Sequence, residues 1–236
     1  MTLAEAHDPT ASATSYPPHP AAYTTLSRNE IETLCLKAAR GAGMSWGLAE
    51  EAGFAAGWLA ASGIDGAGAL LDHLQHWASG GILVRDRHWT ATADATLSPI
   101  LLGATLDDHA ALAAGPWSAP IIIAAAHQPI LLVPFLVRAA KVCAKPLALT
   151  WPGGSLVIPT GGDVDASAMA TLSRVEVTTL TLSPASDGPQ CEATGRTTAP
   201  LSAVTLEKLN TLALRTTVPA SDASRRGAGA ATSDND

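Results

Sequence analysis

Arg40, Trp46, Glu50 and Glu51 carry the first chemistry that the sequence offers. They stand in the run Arg40-Gly41-Ala42-Gly43-Met44-Ser45-Trp46-Gly47-Leu48-Ala49-Glu50-Glu51-Ala52-Gly53. Glycines at 41, 43 and 47 would expose backbone amides where a helix begins, and a helix N-terminus attracts anions. Arg40 could grip a carboxylate or phosphate through two parallel N–H donors. Trp46 could wall the pocket, and Glu50 or Glu51 could move a proton or receive an amine. The plain structural account is a tight corner between two helices, with an acidic pair answering the helix dipole. The run is neither a P-loop, since no Gly-Lys-Ser/Thr follows, nor a dinucleotide fingerprint placed after a strand.

His127 is the second candidate. It follows the apolar run Ile121-Ile122-Ile123 and precedes Gln128-Pro129, which puts it at the C-terminal end of a strand, where α/β folds place ligand-binding groups. Asp72, His73 and His76 have helical spacing that can turn two ligands to one face, but without a third convincing ligand they read as a solvated helix face, and no metal site is expected. Asp107-Asp108-His109 reads as capping. At the other end of the chain, Ser224 and Arg225 precede a glycine-rich stretch that could close over an anion. The candidate set is therefore Glu50, Glu51 and His127 for catalysis, and Arg40, Gly41, Gly43, Trp46, Ser224 and Arg225 for ligand binding.

Helices and strands must position these groups. Ser27-Arg28-Asn29-Glu30 is a capping box, and Ile31, Leu34, Cys35 and Ala38 continue at helical spacing up to Gly41. Ser45 is placed to cap a second helix over 46–61, and a third is expected over 66–78, burying Leu70, Leu71, Leu74 and Trp77. From Ile82 onward short strands (82–84, 89–93, 121–125, 146–151, 175–182) alternate with helices (106–114, 129–143, 204–215), and Pro152-Gly153-Gly154 turns a hairpin. The pattern predicts an α+β fold with a helical subregion over 26–80 packed on a mixed α/β sheet region over 81–218. Residues 1–25, rich in Pro, Ala, Ser and Thr, are expected to be disordered, and 219–236 to form a mobile tail.

Composition removes several classes. The net charge is −7 and the only Lys/Arg cluster is Arg225-Arg226, so neither nucleic acid nor an anionic membrane is expected as a partner. The apolar run from Ala119 to Ala140 is broken by three prolines, which speaks against a membrane span. Three dispersed cysteines without a CxxC pair fit a reducing compartment, and the expected location is the cytoplasm.

Ala39–Gly43, Trp46–Gly53, Ser224–Ala230 and Asp234–Asp236 together resemble an uncharacterised bacterial family, a domain of unknown function. The chain departs from that pattern at Ala231, where a glycine is expected. The resemblance brings no reaction; it implies that the C-terminal stretch is a family feature. Two readings follow. One is a cofactor-free lyase, hydrolase or isomerase of small carboxylate or amino-acid catabolism. The other is a non-catalytic accessory subunit whose tail docks on a partner enzyme, with alanine-rich helix faces open to self-association.

Overall fold

The computed structural model describes residues 23–92, 96–112, 115–161, 163–186 and 198–217. Ser224 and Arg225 lie outside these residues, as does Cys191. Tyr23–Thr24 (β1), inside the segment expected to be disordered, pair antiparallel with Leu201–Ser202.

Helix α1 (Arg28–Gly41) starts at the expected capping box: the Ser27 amide donates to Glu30 Oε2 at 2.7 Å, and the Glu30 amide returns a bond to Ser27 Oγ. Helix α2 (Trp46–Ala61) buries Ala49, Ala52, Ala55, Ala56 and Leu59, and is apolar almost all round, as a helix packed on several sides must be. Its Ser45 occupies the cap position, but the hydroxyl makes no capping bond. Small residues let α1 and α2 approach closely; a Cβ on Gly53 would stand 2.6 Å from the Glu32 carbonyl oxygen. Asp65 caps α3 (Gly66–Gln75) by accepting from the Gly68 amide at 2.8 Å.

Strands β2 (Ile82–Arg85) and β3 (His88–Ala91) form a hairpin. Next come α4 (Pro99–His109), β4 (Ile121–His127), a 3-10 turn over Pro129–Leu132, α5 (Val133–Cys143), β5 (Leu147–Trp151) and β6 (Gly154–Ile158). The chain continues through α6 (Ala166–Leu172), β7 (Val177–Pro184), β8 (Leu201–Ser202) and α7 (Ala203–Leu214). Six strands form one mixed sheet in the order β2-β3-β4-β7-β5-β6, with β3 parallel to β4 and the other pairs antiparallel. This is the expected α+β architecture. One continuous core of buried residues joins the helices to the sheet, from Ile31 and Leu59 through Ile100 and Phe135 to Leu149 and Leu182.

Two local departures shape the site. Strand β4 bulges between Ile123 and Ala126, with Ala125 at φ 50°, and Leu97 bridges the far side by bonding the Ala125 carbonyl and accepting from the His127 amide. Gln128 then takes φ 45° before Pro129, a residue that disfavours the right-handed helical region in its predecessor. Left-handed conformations at non-glycine residues cost on the order of 1 kcal/mol or more each, and they gather where a side chain must be aimed. Here they flank His127.

Candidate functional site

The third helix brings the decisive side chain. Leu70, His73, Leu74 and Trp77 follow i, i+3, i+4, i+7 spacing, so His73 falls on the buried stripe. It is 3% exposed, and the solvated helix face expected for Asp72, His73 and His76 is corrected at that position. Asp72 and His76, one turn apart on the flank, are half-buried and exposed. His127, aimed by the bulge of β4, is also 3% exposed.

These elements meet. His73 Nδ1 lies 3.4 Å from His127 Nδ1, and His73 Nε2 lies 3.0 Å from Ser98 Oγ. Ser98 is the N-cap of α4: Pro99 at the first helical position pre-sets its backbone angle, and the Ser98 hydroxyl oxygen accepts from the Leu101 amide. Asp72 Oδ2 accepts from Gln128 Nε2 at 2.7 Å and stands 3.6 Å from His127 Nε2. That His127 nitrogen is buried and has no hydrogen-bond partner among the described residues. The His76 ring packs against His127 with centroids 5.0 Å apart, and its Nδ1 donates to the Asp72 carbonyl at 2.9 Å. Burial, with the neighbouring His127 next, pushes the His73 pKa down to about 3, so its imidazole is neutral. Burial lowers His127 as well, against the pull of Asp72.

A cleft opens beside this cluster, between the end of α3, the start of α4 and the outer ends of β2 and β3. His73, His76, Trp77, Thr92, Ser98 and Leu101 are among its walls, and its cavity measures about 120 Å3. That is smaller than the roughly 300–1,000 Å3 of drug-sized ligand pockets, and it suits a compound of only a few heavy atoms. Among the described residues, neither Lys nor Arg lines it.

The other candidates lie elsewhere. Arg40 bonds the Met44 carbonyl and stacks over Trp46 at 5.7 Å, while Trp46 Nε1 donates to Glu50 at 2.8 Å. This is a closed corner on an exposed surface, and none of its residues lines the cleft. Gly41 has a packing reason, since a methyl there would overlap the Leu212 carbonyl of α7. Gly43 has a conformational one, φ 95°. No acidic residue occupies the first turn of α2, so the dipole account of the Glu50-Glu51 pair does not hold. Glu51 instead pairs with Arg138 at 2.9 Å, and Arg138 also bonds Asp107 and covers the Phe54 ring at 4.8 Å.

Residues 26–111 match a family described as Protein of unknown function (DUF3726). The DUF3726 match covers α1 to α4 and so holds Asp72, His73, His76 and Ser98, whereas His127 lies beyond it. No curated protein and no solved structure matches the chain. No helix among the described residues is long and apolar enough to cross a membrane.

Ser98 is a functional candidate that the sequence reading misses, and His73 is one that it assigns to a solvated face. For His73 the signal is its place on the Leu70–Leu74–Trp77 stripe. For Ser98 it is the Ser-Pro pair, a helix-start signature.

Proposed function

We propose that this protein is a cytoplasmic enzyme acting on a small organic molecule in the cleft, with Ser98 touching the reacting oxygen and His73 as its proton partner. One observation carries the reading: a buried neutral imidazole lies 3.0 Å from a helix-capping hydroxyl on a cleft wall. A hydroxyl, a base and a group that orients the base form the general pattern of hydroxyl-mediated catalysis. Here His127 is the orienting group, through the contact between the two Nδ1 atoms.

The hydrogen bonds can run in either direction. In one, Ser98 donates to His73 Nε2 and His73 donates to His127. In the other, His127 donates to His73, His73 donates to Ser98, and the serine hydrogen is free to meet a substrate oxygen. With no Lys or Arg among the described residues of its walls, the cleft suits uncharged or singly charged carbonyl compounds, such as small carboxylic and amino acids, esters and amides, better than polyanions. Trp77 and Leu101 supply apolar contact for the rest of the substrate. The reaction class this supports is acyl transfer to water, or elimination.

A thermal-shift screen of such compounds on the full chain and on Ser98→Ala tests the reading. The expected result is a ligand whose stabilisation of the native protein disappears in the variant. A panel without a single stabilising compound would reject it and favour the accessory-subunit reading.

A further inference from the structure

We infer that Asp72, His76 and His127 form a binding site for one divalent transition ion of the zinc class, on the rim of the cleft. The inference goes beyond the catalytic reading and stands without it.

The donor atoms are already gathered. One ligand atom from each of the three residues lies within 4.8 Å of the others. The His127 Nε2–Asp72 Oδ2 separation of 3.6 Å is close to the roughly 3.4 Å between two ligands of a tetrahedral ion with bonds of about 2.1 Å. Two imidazoles and one carboxylate leave a fourth position for water or a substrate oxygen, which is the arrangement of catalytic rather than structural zinc sites. Nitrogen and oxygen donors without a thiolate select ions of borderline softness.

The orphaned nitrogen makes the case. His127 is almost wholly buried, yet among the described residues its Nε2 has no hydrogen-bond partner and faces a carboxylate too distant for a hydrogen bond. A buried nitrogen without a partner is costly, and an ion at that point would satisfy both the lone pair and the carboxylate. Neighbouring groups set both rings for ligation. The His76 Nδ1 contact is to a carbonyl, which only accepts, so that nitrogen carries the hydrogen and Nε2 keeps its lone pair. Likewise His127 can donate from Nδ1 to His73 Nδ1, while His73 donates from Nε2 to Ser98 Oγ. Gln128 also anchors Asp72, its Nε2 donating to the same Oδ2 that faces His127. Metal-binding histidines are commonly anchored in this way through their second nitrogen. An ion would also settle the direction of the hydrogen-bond chain: His73 Nε2 would carry a hydrogen toward Ser98 Oγ and act there as a donor rather than as a base.

The test uses the full chain stripped with a chelator and titrated with Zn2+ by calorimetry, and with Co2+ by visible absorption, with no organic ligand present. The expected result is saturation at one ion per chain, a tetrahedral Co2+ spectrum, and at least tenfold weaker binding in both His76→Ala and Asp72→Asn. His76 is exposed, and the carbonyl oxygen of the amide that Asp72→Asn introduces could still accept from Gln128. Both variants should therefore fold, which circular dichroism checks. Absence of saturable one-to-one uptake, or uptake that either variant leaves unchanged, would overturn the site. The organic-ligand screen does not depend on this outcome, so either idea can fail alone.

Discussion

Ser98 Oγ stands 3.0 Å from His73 Nε2, tying the N-cap of one helix to the buried stripe of another. The same oxygen accepts from the Leu101 amide. One atom thus caps α4 and faces the chemistry, so its removal should be felt twice. Ser98→Ala is expected to lose about 1 kcal/mol for the missing cap and about 1–2 kcal/mol for the stranded imidazole nitrogen. Urea denaturation measures the sum. Ser98→Thr, which keeps the hydroxyl, should recover most of it.

Gly41 offers a test of packing against anion binding. Glycine to alanine inside a helix normally gains up to about 1 kcal/mol. Here the added methyl would collide with the Leu212 carbonyl, and overpacking costs about 1–3 kcal/mol, so Gly41→Ala should lower the melting temperature. An unchanged or raised melting temperature would show that α7 does not pack against α1 as described.

Arg138 joins α5 to Glu51 of α2 and Asp107 of α4 while lying over two phenylalanine rings. These groups are partly exposed, so solvent screens them and the cost of breaking the set falls below that of a fully buried pair. Arg138→Met should cost about 2 kcal/mol, given that it strands two carboxylates. In a double-mutant cycle with Glu51→Gln, the two losses should add to less than their sum. Strict additivity would mean that the pair is not coupled.

Glu30 gives a pH signature. Bonds from the Ser27 hydroxyl and amide hold its carboxyl below the usual value of 4.5. A depressed carboxyl contributes stability that is complete above its unfolded pKa and fades as pH falls through the folded one. Glu30→Gln should therefore melt below the native protein at pH 7, and the gap should close towards pH 3. A gap that stays constant over that range would remove the charge from the account.

Local signals place much of the fold correctly. The capping box starts α1, Ser45 and Gly63 bracket α2, and the threonine-valine alternation finds β7, because each of these elements is encoded by neighbours in sequence. His127 is legible for the same reason, standing at the end of an apolar strand. Long-range facts are not. His73 meets its partner 54 residues away, and its burial depends on the start of α4 closing over it. Starting a helix only at 106, when α4 begins at Pro99, hides Ser98, although the Ser-Pro pair marks the start. The glycine-rich corner attracts attention through composition, yet its glycines answer to Leu212 and to a left-handed turn. Helix α6 escapes because its seven residues are too few to show a period; only the Asp165 cap announces it.

The bulge in β4 has a consequence far from the cleft. His127 closes the strand that lies between β3 and β7, and its own amide and that of Gln128 bond outward to Leu97 and Glu176. Whatever grips its ring therefore grips the middle of the sheet. Amide hydrogens of β7, such as that of Leu180, should exchange more slowly with deuterium when His127 is engaged. A molecule held by the cleft walls alone should leave them unaffected. Occupancy of the site would then be recorded in the slowest-opening part of the molecule.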